Sequence, residues 1–159
     1  NKQIDSTVPH RPDTFYGLSK CFAEDLARMY WEKCKIESIC LRILSCAQVT
    51  SQRALGTWLS YNDLIQLVLR SIDTVNPGFT IVYGVSNNDR CPVNNIEASF
   101  LGFKPKDNAE NFAEKILSQD HLTQIDTSEN DRHGGPFAAT NLGESGLAKM
   151  AIIDDKKKN

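Results

Sequence analysis

Apolar residues in the first part of the chain recur at the spacing of an amphipathic helix. Between about residues 13 and 35 they stand three or four positions apart, which places on one stripe Phe15, Leu18, Phe22, Leu26 and Met29. Pro9 and Pro12 precede this stretch and indicate a loop. The pattern therefore predicts a long helix over residues 13–35, with Asp13 as its N-cap.

Two shorter runs are rich in apolar residues and lack this spacing. Residues 38–44 and residues 79–85 have the length of a strand, and polar residues follow each of them. Continuous apolar runs of this kind are typical of parallel strands that are covered on both faces. Both runs are therefore predicted to be strands of a parallel sheet.

Helical periodicity returns in two later stretches. Residues 61–73 follow Ser60, which together with Asp63 resembles a capping box at the start of a helix. A last helix is predicted over residues 107–117, and residues 45–60 are predicted to be a loop. Alternation of helices with strands indicates an α/β fold with a parallel sheet. Two strands make a sheet with exposed edges and a thin core, so we expect further strands from outside this chain.

Composition excludes several classes of protein. The 159 residues are 40% hydrophobic and 24% charged, which is ordinary for one globular unit, and the net charge of −2 argues against a nucleic-acid partner. No apolar run is long enough to cross a membrane. The five cysteines are odd in number and show no C-x-x-C pair, so we expect reduced thiols and a cytoplasmic location. We expect no metal site, because the histidines are scattered at His10, His121 and His133.

Tyr16 and Lys20 form the sharpest chemical pattern in the sequence. Their four-residue spacing places both side chains on one face of the predicted helix. A phenol loses its proton only well above neutral pH, so a tyrosine that acts as a general base needs a positive charge nearby. Lys20 would supply that charge, although the same two residues are also ordinary neighbours on a helix surface.

Ser45 and Arg53 are candidates for substrate binding. They follow the first predicted strand, and ligands of open α/β sheets bind beyond the carboxyl ends of strands. Ser45 could hydrogen-bond a sugar hydroxyl, and Arg53 could hold a carboxylate through two parallel hydrogen bonds. Judged from the local sequence alone, a structural role is favoured for each residue, as a turn serine or as an exposed arginine.

The sequence around Tyr16 strongly resembles the active-site helix of the bacterial uronate dehydrogenases, which are extended short-chain dehydrogenases/reductases. The match begins with residues 11–30 (RPDTFYGLSKCFAEDLARMY) and continues through parts of residues 41–46, 53–60, 83–89 and 100–110. It spans about residues 5–117, and residues 133–137 extend it. The resemblance implies an α/β fold that forms the C-terminal part of a Rossmann-type, doubly wound parallel sheet.

The resemblance also implies an activity and a role for each matching residue. It implies oxidation of galacturonate or glucuronate at C1 to the aldarolactone with NAD, in an enzyme expected to be a homo-oligomer at full length. Tyr16 is then the general base, Lys20 tunes it and binds the nicotinamide ribose, and Arg53 holds the substrate carboxylate. The nicotinamide and sugar pocket is lined by Ile43, Ser45 and Cys46.

One departure from the family is large. No glycine-rich strand-turn-helix precedes Tyr16, so the N-terminal dinucleotide-binding half is absent from this sequence, and about 120 residues are missing from a domain of usual size. We therefore expect residues 1–118 to be the C-terminal half of the dehydrogenase domain and to be inactive alone. Residues 119–159 are expected to be an extension with a disordered end.

Two other functions remain open at this stage. A sugar-nucleotide epimerase or dehydratase of the same fold is the first, although such enzymes usually carry an Asn and an aromatic-Gly-Pro sequence where this chain has Ser45-Cys46-Ala47. The second is a non-catalytic remnant or a dinucleotide-sensing protein. Intact Tyr16 and Lys20 count against it, because a sensor needs no general base.

Overall fold

The structure is a computed structural model that describes residues 3–119, 134–135, 138 and 141–142. Most of the predicted extension, residues 119–159, therefore lies outside the described residues. Two 3₁₀-helices occur, at Ile96–Leu101 and Ala109–Phe112. The α-helices and strands in chain order are α1 (Phe15–Cys34), β1 (Ser38–Ile43), α2 (Gln52–Thr57), α3 (Tyr61–Asp73), β2 (Phe79–Gly84) and α4 (Ala113–Gln119).

The two strands form a parallel pair with helices on both faces. Their register runs from Ser38 opposite Phe79 to Ile43 opposite Gly84. On one face the guanidinium of Arg28 in α1 lies 4.4 Å from the centre of the Phe79 ring. On the other face Leu67 of α3 is buried in a cluster with Val82, Ala98 and Leu101. The described part of the chain thus has the helix-on-sheet layers of an α/β fold, as the sequence predicted.

Helix α1 differs from its prediction at its N-terminal end. Thr14, and not Asp13, is the N-cap, because the Thr14 hydroxyl accepts a hydrogen bond from the Gly17 amide at 3.0 Å. The last helical residue is Cys34, and the left-handed backbone of the C-cap Lys35 (φ 57°) stops the helical pattern close to the predicted end. The predicted stripe is present, yet no residue of α1 is buried, and Phe22 is 66% exposed. This side of the molecule is a continuous apolar surface.

One region forms a helix that the sequence pattern did not predict, and the last predicted helix is divided into two parts. Residues 52–57 make up α2, inside the predicted loop 45–60, with Ser51 as N-cap. A six-residue helix is too short for its periodicity to show, and four of its residues are buried. The helix predicted over 107–117 begins as the 3₁₀ turn and continues as α4. Asn108 caps that turn by accepting a hydrogen bond from the Glu110 amide at 2.9 Å.

The outer edge of β2 is capped by a side chain. The Asn95 amide accepts from the Tyr83 N–H at 2.7 Å and donates to the Tyr83 carbonyl at 2.9 Å. It thereby takes the hydrogen-bonding positions that a further strand would use. Within the described residues no helix is long and apolar enough to cross a membrane.

Candidate active site

Tyr16 and Lys20 lie side by side at the start of α1. The Lys20 ammonium nitrogen is 5.0 Å from the centre of the Tyr16 ring. This contact is a cation-π interaction, which places the positive charge next to the phenol. The Tyr16 side chain is 57% exposed, so it is open to a ligand. Tyr16 and Lys20 therefore lie on one face of α1, as their spacing in the sequence predicted.

The orientation of α1 places Tyr16 at the carboxyl edge of the sheet. Arg28 lies over Phe79, the first residue of β2, whereas Glu24 bonds to Arg42, near the end of β1. The helix therefore runs antiparallel to the strands. Tyr16 is eight residues before Glu24, about 12 Å further toward the carboxyl edge at 1.5 Å per residue. That edge is where open α/β sheets bind their ligands.

An ion pair holds α1 on the sheet in this orientation. Arg42 makes a bidentate contact with Glu24, with its Nε 2.8 Å from Oε1 and its Nη2 2.7 Å from Oε2. Nε2 of His10 lies 3.0 Å from the same carboxylate, and Arg42 also donates to the Tyr83 hydroxyl at 3.1 Å. Partial burial alone would raise the pKa of Glu24, but the hydrogen bonds and charges of Arg42 and His10 outweigh it and lower that pKa. Hydrogen bonds to Glu24 in turn raise the pKa of Arg42.

Ser45 lies just beyond β1 and is fixed through its backbone. It forms a parallel bridge with Trp58, and its carbonyl accepts from the Leu59 amide at 2.7 Å. The short extended segment after α2 thus continues the sheet at its carboxyl edge. Ile43, at the end of β1, is 43% exposed, and Cys46 is half-buried as a free thiol. All three predicted pocket residues are therefore at the same edge as the start of α1.

The carboxylate of Asp63, a residue predicted only as part of a capping box, is buried and joins the loops at this edge. Asp63 is 2% exposed and accepts hydrogen bonds from the Ser86 hydroxyl at 2.6 Å and from the amides of Lys106 and Asp107 at 2.9 and 3.1 Å. The predicted cap is present, since the Ser60 hydroxyl accepts from the Asp63 amide at 3.0 Å. The capping signal was visible in the sequence, but the partners of the carboxylate come from distant segments.

Arg53 projects from α2, whose backbone is held firmly. The Ser51 hydroxyl caps the helix, the Thr57 hydroxyl donates to the Arg53 carbonyl at 3.1 Å, and Leu55 is buried against α4. The guanidinium packs against the backbone of Gly135, a residue to which the sequence analysis gave no role. The structure links Arg53 to Ser45 through α2 and the Trp58 bridge, and it joins Tyr16 directly to Lys20.

Comparisons with known proteins find relatives that match most of this chain. No protein-family model matches the chain. The uronate dehydrogenase of Pseudomonas putida is 42% identical over 139 residues, which are 87% of this chain and 52% of that protein. The crystal structure of a glucuronic acid dehydrogenase from Chromohalobacter salexigens matches 87% of this chain and 53% of its own, at 40% identity and a TM-score of 0.80. The crystal structure of a mutant uronate dehydrogenase from Agrobacterium tumefaciens, complexed with NAD, matches 91% of this chain and 55% of its own. The identity is 35% and the TM-score is 0.83.

The parallel strand pair with helices on both faces defines the chain as one part of a Rossmann-type α/β fold. The chain spans about half the length of the curated relatives it matches. Within that class it is a homologue of the uronate dehydrogenases, and the resemblance found in the sequence is confirmed.

Proposed function

We propose that this chain supplies the general base and the substrate-binding residues of an NAD-dependent uronate dehydrogenase. The observation that carries the proposal is the Lys20 ammonium 5.0 Å from the centre of the exposed Tyr16 ring. The pair lies at the edge of the sheet where such folds bind ligands. The reaction is oxidation of galacturonate or glucuronate at C1 to the aldarolactone.

Tyr16 takes the proton of the C1 hydroxyl, and Lys20 stabilises the phenolate that is needed for this step. A nearby positive charge favours the charged form of an acid, and the Lys20 ammonium lies 5.0 Å from the centre of the Tyr16 ring. The same ammonium would hydrogen-bond a ribose hydroxyl of the cofactor. Bound NAD would supply the acceptor for the hydride that leaves C1. The Lys20–Tyr16 contact is compatible with both roles of Lys20, because the phenol and the ammonium are both open to solvent.

The residues of this chain fit one end of the cofactor only. Ile43, Ser45 and Cys46, at the carboxyl edge, would line the nicotinamide and the sugar. The sequence contains no G-x-G-x-x-G turn, which is the usual cradle of the pyrophosphate. The pyrophosphate must therefore be held by a part of the enzyme outside this chain, and we expect this chain to be inactive alone.

Arg53 holds the substrate carboxylate, and Ser45 hydrogen-bonds a sugar hydroxyl. An arginine guanidinium matches a carboxylate in a planar, bidentate geometry. The relatives named for uronate and glucuronic acid support an acidic sugar as substrate. We further propose a cytoplasmic enzyme that is homo-oligomeric at full length and has no nucleic-acid partner.

Substitution of Tyr16 tests this function. The assay uses the full 159-residue chain joined to the part of the Pseudomonas putida relative that it does not match. Tyr16→Phe should lower kcat with galacturonate at least about 100-fold, because it removes the general base. NAD binding should change little. The absorbance of NADH measures kcat, and titration with NAD measures the binding of the cofactor.

Tyr30→Phe is the matched control, because Tyr30 is an exposed tyrosine on the same helix, 44% exposed. It should leave turnover unchanged. Near-normal turnover of Tyr16→Phe would remove Tyr16 from the role of base. An assembled wild-type enzyme that forms no NADH from either uronate would contradict the proposed function as a whole and favour an epimerase or a sensor.

A further inference from the structure

The guanidinium of Arg53 packs against the backbone of a glycine 82 positions later in the chain. A Cβ atom added to Gly135 would lie 2.8 Å from Cζ of Arg53, 2.9 Å from its Nε and 3.1 Å from its Nη1. These three atoms belong to the charged head of Arg53 and not to its aliphatic stem. Real Cβ atoms almost never come within 3.0 Å of another heavy atom, so only glycine permits this contact.

The backbone at Gly135 favours glycine for a second reason. Its φ of +57° lies in the left-handed region, which other L residues seldom adopt. Its neighbour Gly134 is equally confined, because a Cβ there would lie 2.6 Å from the Cβ of Ala138, which is itself buried. The turn is therefore packed between Ala138 on one side and the head of Arg53 on the other.

The other end of Arg53 is fixed by α2. Ala54 and Leu55, the residues that follow it, are buried, and a Cβ at Gly56 would lie 2.5 Å from the Arg90 carbonyl. The helix backbone therefore cannot shift easily. Beyond this fixed backbone, the Gly135 turn blocks one direction in which the guanidinium could move.

We propose that Gly135 is a positioning residue, which holds the Arg53 guanidinium at the place where the substrate carboxylate binds. The inference rests on the proposed function, in which Arg53 contacts that carboxylate. A larger residue at position 135 pushes the guanidinium away from the turn. Because two parallel hydrogen bonds to a carboxylate need both nitrogens in place, a small displacement weakens substrate binding.

The test compares Gly135→Ala with wild type in the assembled enzyme described above. The KM for galacturonate should rise about 10- to 100-fold, as expected for a misplaced binding group, with kcat within about threefold. Gly102→Ala is the matched control. Gly102 has a similar φ of +69°, but a Cβ there meets nothing within 4 Å, so this variant has the backbone strain without the displacement. Its KM should stay at the wild-type value.

A double-mutant cycle shows whether the effect passes through Arg53. In an Arg53→Met background, Gly135→Ala should leave the KM unchanged, because no guanidinium remains to be displaced. Gly135→Asn supplies a second variant if Gly135→Ala does not fold, since asparagine tolerates the left-handed backbone while adding the same Cβ. Thermal unfolding monitors the fold of each variant.

The outcomes separate the two proposals. An active wild-type enzyme whose KM is the same in Gly135→Ala, or whose KM rises equally with and without the arginine, would overturn the role of Gly135 and leave the proposed function intact. An assembled wild-type enzyme without activity on either uronate would overturn both.

Discussion

Glu24 carries the charge that joins helix α1 to strand β1. Its carboxylate faces Arg42 and His10 at 2.7–3.0 Å, and its side chain is 13% exposed. A carboxylate whose pKa is lowered in the folded state stabilises that state as long as it is ionised. This one residue therefore sets the position of the helix that carries Tyr16 and Lys20.

Glu24→Gln should lower the free energy of unfolding by about 2 kcal/mol at neutral pH, because a charge-assisted, bidentate pair is lost. The contribution of Glu24 is fully present above its unfolded pKa of about 4.3 and is lost as the pH falls through the lower folded value. Urea unfolding between pH 7 and pH 3 measures both effects.

The neighbouring Asp25 provides the control for this series, since its side chain is 68% exposed. Asp25→Asn should change stability by less than about 0.5 kcal/mol. A difference between wild type and Glu24→Gln that stays constant down to pH 3 would show that the charge of Glu24 is not the source of the stability.

At the scale of elements, the buried Asp63 joins three segments. Its carboxylate bonds to Ser86 after β2 and to the amides of Lys106 and Asp107, while its amide is bonded by the N-cap of α3. Ser86 also donates through its amide to the Trp58 carbonyl at 2.9 Å. The network therefore fixes the segment that pairs with Ser45 at the proposed pocket.

Asp63→Ala should lower the free energy of unfolding by about 3 kcal/mol, because it leaves a buried hydroxyl and two amides without an acceptor. Asn62→Ala, at the exposed position next to it, should change it by less than about 0.5 kcal/mol. Chemical denaturation measures the free energy of unfolding of both variants. Equal values would mean that water accepts the hydrogen bonds of the hydroxyl and the two amides in place of Asp63.

The elements were largely predictable from periodicity, whereas the contacts between them were not. The long stripe of α1 and the two apolar strands can be predicted because each is long enough to show a pattern of apolar residues. Helix α2 is too short for that. Asp63 and Gly135 acquire their roles from residues 23 and 82 positions away, which no local pattern reveals. Tyr16 and Lys20 were found because their contact lies within one helical turn.

In the molecule as a whole, the side that carries α1 exposes large apolar residues. The apolar stripe of α1 has no buried residue, and within the described residues β1 pairs with β2 alone. The chain spans about half the length of its relatives, so the proposed enzyme needs further structure to hold the pyrophosphate and to close the pocket.

In the proposed function, Tyr16 and Lys20 promote transfer of hydride from C1 of a uronate to NAD. Galacturonate that carries deuterium at C1 provides the sharpest test, with the assembled enzyme and mass spectrometry of the cofactor. We expect deuterium in the NADH, formed together with the aldarolactone. A uronate that is converted without net NADH, or NADH free of deuterium, would contradict it.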